Sequence, residues 1–353
     1  MKTFFENNLR LFCIWWLALV WASCQLSLAC RICAPSSAES PVDQLLNAKT
    51  VVLAKEHPER PFTLVPAETL KGSAEEVLPL FIDTLTRQML ISDPDRTIVI
   101  VEQNILGRNN WIIVGVANIP FAQVVREIVA SKSTWNEQEG KRIEYFGGLL
   151  KKKDLTTRRL ARLEIANAPY GEIRKLKESI PPEELRSYLS KTGNMEWRSL
   201  YIILLGLNAE PEDYKTITQN FRFHSRLNTT GQLAAWATAF IEINETKAIK
   251  EIENLFHSKT ESNNPEIKEI ITALSVQGTG GHTYLRDRIV KSYKLLLQNH
   301  PDLIPVIIKD LIIWERNDLT EHIEKYLSRN KQSIDVITTL RLRSYLNRAN
   351  DPK

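Results

Sequence analysis

The chain has 353 residues, of which 43% are hydrophobic and 25% are charged, a composition that excludes an extensively disordered protein. Its 46 basic and 42 acidic side chains leave a net charge of +4, which is too balanced to indicate nucleic acid or an acidic membrane as the partner. A chain of this length has room for two domains and for a core that needs neither metals nor disulfides.

The first 29 residues have the arrangement of a secretory signal, with a charged segment, an apolar segment and small residues in that order. Lys2 and Arg10 precede the apolar run 11–21, and Ser27-Leu28-Ala29 places small residues at the first and third positions before a cleavage site. We therefore predict an exported protein, periplasmic or secreted. Two alternatives stay open: an uncleaved leader that anchors the chain, since its length is near that of a membrane span, and a lipid on Cys30 that tethers the mature amino terminus.

Cleavage after this leader would leave two cysteines, Cys30 and Cys33, at the new amino terminus. Their spacing allows a bond across a tight loop, and Arg31 could lower the pKa of a neighbouring thiol, so a redox pair is one interpretation. A small structural disulfide is favoured, because redox pairs of this kind open a helix after a strand, whereas Pro35 follows here. A zinc site needs further cysteine or histidine ligands at metal spacing, which the chain lacks, so no metal or cofactor is predicted.

Five short runs rich in β-branched residues are separated by turn residues. They span 50–54, 62–72, 77–82, 97–101 and 111–116. Five strands within about 70 residues, with little helix between them, predict a small barrel. Pro120 then precedes a helical stripe at spacing three and four, formed by Phe121, Val124, Val125 and Ile128.

From about residue 137 to 347 the apolar residues recur at helical spacing. Helix pairs are predicted to begin near residues 196, 231, 265 and 301, and an earlier pair between 155 and 190. A period of about 35 residues with two helices in each unit is typical of an α-solenoid, here HEAT-like by its spacing. An irregular helical bundle is the alternative. Trp197, Trp236 and Trp314 lie on the apolar stripes and are predicted to be core residues.

The amino-terminal part carries a family resemblance. It consists of the cysteine pair, the run Asn47 to Lys55 with Val51-Val52 inside it, and the run Val65 to Gly72 that ends in Lys-Gly. These features resemble netrin-like domains, the family of the tissue inhibitors of metalloproteinases. The resemblance implies an OB-like β-barrel with flanking helices. Those inhibitors open with Cys-x-Cys and distant partner cysteines, a pattern that this chain does not share.

These patterns together predict an α+β protein of two domains. The predicted parts are a signal peptide at 1–29, an OB- or netrin-like barrel with a terminal helix at 30–136, and an all-α HEAT-like repeat domain at 137–353. The whole chain also resembles uncharacterised secreted bacterial proteins, which implies no reaction.

The strongest basic cluster is predicted to lie at the junction of the two domains. It is a solvated helix face or a patch for an anionic partner such as an envelope polymer or lipid, and comprises Lys151, Lys152, Lys153, Arg158, Arg159 and Arg162. The glycine-rich stretch 278–282 lacks the strand before it and the Lys-Ser/Thr after it that a phosphate-binding loop requires, so it is predicted to be a loop between helices.

No motif in the sequence indicates a catalytic reaction, so a protein without enzymatic activity is favoured over an enzyme. We predict an exported binding or scaffold protein of the cell envelope that contacts a protein partner through its helical repeat surface. Two alternatives are a thiol-dependent redox protein that uses Cys30 and Cys33, and a protease inhibitor that acts through the mature amino terminus.

Overall fold

The structure is a computed structural model that describes residue 32 and residues 40–105, 107–138, 140–227, 231–258, 265–330 and 333–350. The predicted leader, Cys30 and Cys33 lie outside the described residues. Ile32, between the two cysteines, is half-buried against the main apolar core. No helix among the described residues is long and apolar enough to cross a membrane.

Five strands and three helices make up the amino-terminal part. They are α1 (Pro41–Asn47), β1 (Thr50–Glu56), β2 (Thr63–Lys71), β3 (Leu78–Phe81), α2 (Thr84–Ser92), β4 (Thr97–Ile105), β5 (Arg108–Ala117) and α3 (Ile119–Ala130). The five predicted strands and the helix after Pro120 are confirmed. Helix α2 was not predicted, because Leu90 is its only buried residue and Leu85 and Ile91 face solvent, so it has no wide apolar stripe.

The strands form one antiparallel sheet in the order β3-β2-β1-β4-β5. This pairing is that of an OB-like Greek-key barrel that remains open between β3 and β5. The predicted OB-like barrel is therefore confirmed at the level of fold, as is the α+β class with a helical carboxy-terminal region.

Both faces of the central strands are buried because side chains alternate along a strand. Val52 and Ala54 of β1 belong to a small cluster inside the barrel. Val51 and Leu53 point the other way and join a cluster of buried apolar residues that continues through the helices as far as Tyr345. The outer face of the barrel and the helical region thus share one apolar core.

Residues 132–350 contain helices and short turns. The helices are α4 (Lys132–Glu137), α5 (Lys141–Leu149), α6 (Leu155–Asn167), α7 (Tyr170–Ile173), α8 (Pro182–Leu189), α9 (Arg198–Leu207), α10 (Pro211–His224), α11 (Leu233–Ser258), α12 (Pro265–Gly280), α13 (Arg286–Asn299), α14 (Ile304–Ile313), α15 (Thr320–Arg329) and α16 (Val336–Asn350). Short 3-10 turns lie at Arg174–Leu176, Thr283–Leu285 and Pro301–Leu303. The three tryptophans predicted as core residues are buried.

The first helices of the predicted pairs stack in series, since α9 packs on α11, α11 on α12, and α12 on α14. Helix α11 supplies both helices of its unit, because Glu245 interrupts it with φ 48° and ψ −121°. This serial packing is that of a helical solenoid, in which each unit contacts its neighbours.

The glycine-rich stretch was wrongly predicted to be a loop over its first three residues. Gly278 and Gly280 lie in the last turn of α12. A Cβ atom at Gly278 would overlap the ring of Trp314, and one at Gly280 would lie 2.7 Å from the backbone nitrogen of Gly171. The glycines are therefore explained by close packing of α12, and only Gly281 and His282 turn the chain.

Candidate functional site

Helix α6 begins at a fixed point against the barrel. The carboxylate of Asp154 caps it by accepting the Thr157 N–H over 2.7 Å, and accepts the side-chain amide of Asn118 over 2.7 Å. Burial opposes ionisation of Asp154, but these hydrogen bonds outweigh it and lower the pKa of the carboxyl. Since Asn118 also caps α3, the first turn of α6 has a defined position, and Arg158 and Arg162 project from one helix face.

A groove of about 390 Å³ lies between α6 and α8. Lys151, Arg158 and Arg162 line it, so the fold brings together three of the six predicted basic residues. Lys152 and Lys153 are exposed outside it, and Arg159 points to solvent near Glu196, with 3.8 Å between the charged atoms. Sequence reasoning missed a fourth cation of the groove, Lys191, because no pattern links it to residues some 30 positions earlier in the chain.

Two stacked tyrosines hold Arg162 in the groove. The rings of Tyr188 and Tyr201 are 3.5 Å apart and nearly parallel. The Arg162 guanidinium lies 5.0 Å above the Tyr188 ring, and its Nε donates to the Tyr201 hydroxyl over 3.2 Å. Cation–π contact and this hydrogen bond fix the plane of the guanidinium, which leaves its terminal nitrogens available.

The groove cations make no close ion pair among the described residues, although Arg158 lowers the pKa of Asp154, one turn earlier, through its charge. No carboxylate there lies within 4.0 Å of Lys151, Arg158, Arg162 or Lys191, and the buried Nε of Arg158 makes no hydrogen bond. Some other half-buried arginines have carboxylate partners, as Arg142 does with Asp43 at 2.8 Å, whereas Arg198, Arg286 and Arg348 donate to backbone carbonyls. Arg158 and Arg162 lie one helical turn apart, so their like charges repel each other, which favours an anion between them.

The groove also has an acidic side. Glu183 and Glu184 line it from the first turn of α8, where the helix dipole stabilises negative charge. Four basic and two acidic side chains thus face the same space. An occupant that is anionic in one place and neutral or cationic in another fits this arrangement better than a uniform polyanion does.

A second polar cluster lies at the centre of the helical region, around the buried carboxylate of Glu242, whose side chain is 5% exposed. Tyr170 and Gln277 donate to one of its oxygens over 2.8 and 3.1 Å. Arg174 and His282 each approach the other oxygen to 3.2 Å. No sequence motif predicts this cluster, because its residues come from α7, the turn after it, α11, the end of α12 and the turn that follows α12.

The Glu242 cluster is built as a clamp between helices. The Nδ1 atom of His282 faces Arg174 at 3.5 Å and its Nε2 faces Glu242, so both ring nitrogens meet protein groups and neither is directed at a substrate. Arg174 also donates to the carbonyl of Gly281 over 2.9 Å. The contacts of Arg174 with Gly281 and His282 join residues more than 100 positions apart, which makes the cluster a support of the solenoid.

Because of the Glu242 cluster, we expect the folded protein to lose stability in acid. Burial raises the pKa of Glu242, but Arg174 and His282 outweigh it and hold the pKa below the ordinary 4.5. A carboxyl with a depressed folded-state pKa stabilises the fold above its unfolded pKa, and that stabilisation is lost as the pH falls through the folded value. In urea unfolding, the gap between the wild type and Glu242→Gln should be largest at neutral pH and shrink below about pH 4.5. A gap that widens in acid would contradict the assigned direction.

Groups of three or more histidine, cysteine, aspartate or glutamate side chains placed to hold a metal ion are absent from the part of the chain that the structure describes. Comparisons with protein-family models, with curated proteins and with solved structures find no match to this chain.

Proposed function

We propose that this protein is an exported binding protein whose helical region holds an acidic segment of a partner protein in the groove between α6 and α8. The observation that carries the proposal is the pair Arg158 and Arg162, half-buried, one turn apart and with no carboxylate of the described residues within 4.0 Å. A carboxylate from a partner would remove the repulsion and satisfy the guanidiniums through charge-assisted hydrogen bonds.

The acidic side of the groove favours a peptide over a polyanion. A phosphate polymer or an anionic lipid surface carries negative charge along its whole length and would meet Glu183 and Glu184 as well as the arginines. A protein segment can put a carboxylate near α6 and a neutral or basic residue near α8. Such like-charge repulsion against wrong partners is a common source of specificity.

The finer assignments of the two parts belong to the same proposal. A netrin-like identity for the barrel is supported by the OB-like strand order and by the resemblance of its first strands. HEAT-like repeats are supported by the serial packing of the first helices. Export is supported by the leader pattern alone, and mass spectrometry of the intact protein from the cells that make it tests it. A molecule that retains residues 1–29 and is found in the cytosol would contradict export.

Selection from a displayed library of short random peptides tests the binding proposal. We expect peptides captured by the wild type to be enriched in aspartate and glutamate. The double change Arg158→Gln with Arg162→Gln should remove this enrichment and weaken the leading peptide by about tenfold or more, because hydrogen bonds to charged groups contribute roughly 1.5–3 kcal/mol each. Its stability in urea should change little, because the removal of like charges is offset by the loss of the Arg162 contacts with Tyr188 and Tyr201.

The matched control is Lys152→Gln with Lys153→Gln, which removes the same charge from exposed positions outside the groove. It should leave the enrichment and the affinity unchanged. Equal losses in both double variants would mean that only net charge matters, and a wild type that captures no acidic peptides would refute the proposed function.

A further inference from the structure

Helix α16 packs on α14 and α15 with one face. Leu342 and Tyr345 lie on that face and are fully buried. The opposite side of the helix, here called the α16 face, begins with Val336, Ile337 and Leu340, which are 74%, 62% and 62% exposed. Their spacing of three and four residues places them side by side in the first turns of the helix. Clustered apolar side chains that are open to solvent indicate an interaction surface.

The rim of the α16 face is basic. Arg341 and Arg343 come directly after the apolar side chains, and both are exposed. Residues 336–350 contain three arginines and no aspartate or glutamate. A surface with an apolar centre and acidic side chains around it would therefore match the α16 face, because complementary charge at the rim selects the partner of an interface.

Helix α2 of the barrel presents such a surface. Leu85 and Ile91 lie on its outer side, one on each side of Gln88, and are 63% and 61% exposed. Phe81, on the strand that leads into the helix, is 74% exposed. The outer side of α2 with these apolar residues is here called the α2 face. It offers apolar side chains that the barrel core does not bury.

The charge left around the α2 face is acidic. The basic side chains nearest in the chain are engaged, since Arg87 pairs with Glu56 at 2.6 Å and Arg96 pairs with Asp93 at 3.0 Å. Two further acidic residues, one at each end of the helix, are exposed: Asp83 and Asp95. The α2 face thus complements the α16 face in charge, and both faces have an apolar centre.

We infer that the occupant of the α16 face is a second copy of this chain, which docks through its α2 face. Charge decides the pairing, because α16 on α16 would bring arginines together and α2 on α2 would bring aspartates together. The contact joins two different surfaces, so each molecule of a pair keeps one face free. Assembly therefore continues into a ring or an open chain. This inference does not depend on the groove between α6 and α8.

Sedimentation velocity of the full chain over a range of concentrations tests the inference. The wild type should associate reversibly with a dissociation constant of roughly 10–100 µM, because small contacts are weak, and salt should weaken the association. Arg341→Glu with Arg343→Glu, and Gln88→Lys with Asp95→Lys, should each abolish association, because each double change gives both faces the same sign of charge. An equimolar mixture of the two double variants should associate again, since every face then meets one of opposite charge.

The control is Lys152→Glu with Lys153→Glu, which changes the net charge as much as the arginine pair does but at exposed positions away from both faces. It should associate as the wild type does, and a loss equal to that of the arginine pair would overturn the inference. Leu340→Ser should weaken association by about fivefold or more, since an aliphatic side chain no longer becomes buried.

Three other results would overturn the inference. The first is a wild type that stays monomeric at about 100 µM, where even a weak interface is populated. The second is a mixture of the two charge-reversed variants that stays monomeric. The third is association of either charge-reversed variant by itself, because only a face that pairs with its own copy could then hold the molecules together.

Discussion

Replacing Glu242 by alanine should destabilise the protein by roughly 2–4 kcal/mol. The change removes a carboxylate that accepts hydrogen bonds from Tyr170 and Gln277 and pairs with Arg174 and His282. Gln277 is fully buried, and its amide would keep only the Tyr170 hydroxyl and the Thr238 carbonyl. Arg174 is partly exposed, so water recovers part of its loss, and we expect less than for a fully buried charge pair.

The free energy of unfolding in urea measures this effect, and helix α11 supplies the control. Glu251 lies on the same helix and pairs with Arg222 at 2.6 Å, but its side chain is 32% exposed. Glu251→Ala should cost less than about 1 kcal/mol, as surface ion pairs do. Similar losses for both variants would mean that burial of the Glu242 cluster adds nothing, and the clamp would then not support the solenoid.

Replacing Gly206 by alanine should destabilise the protein by about 2–3 kcal/mol, although alanine is the better helix former. Gly206 lies in α9 where this helix crosses α11, and a Cβ atom there would approach Cα and Cβ of Ala239 to 2.7 Å. The obstructing atoms are near or in the backbone, so no side-chain rotation relieves the overlap. The two helices would have to separate, and the stacking of the first helices would loosen.

The same substitution at Gly148 should change the stability in the opposite direction. Gly148 is exposed in α5, and no atom lies within 4 Å of the position a Cβ would take. Gly148→Ala should stabilise the protein by about 0.5–1 kcal/mol through helix propensity alone. Thermal or urea unfolding of the two variants compares packing with propensity directly. Stabilisation by Gly206→Ala would contradict the close approach of α9 and α11.

Local periodicity was enough to predict most of the architecture. A strand repeats every two residues and a helix every 3.6, so the β-branched runs of the barrel and the apolar stripes of the helices show which faces are buried. The order of short strands followed by paired helices then indicated the α+β class and the solenoid. The failure at α2 has the same cause, because a helix that buries only Leu90 leaves no periodic trace.

The candidate site depended on tertiary structure. The sequence placed six basic residues in one cluster, yet the fold turned three of them into the groove, left the others in solvent and added Lys191 from the segment that follows α8. Gly278 and Gly280 lie at the end of a helix, not in a loop. Trp314 and Gly171 approach them so closely that a side chain would not fit. Periodicity along the chain thus determined which residues are buried. Contacts between distant segments decided which residues meet and which charges remain unpaired. Burial is a property of a single position, whereas pairing depends on two positions that can lie far apart in the chain.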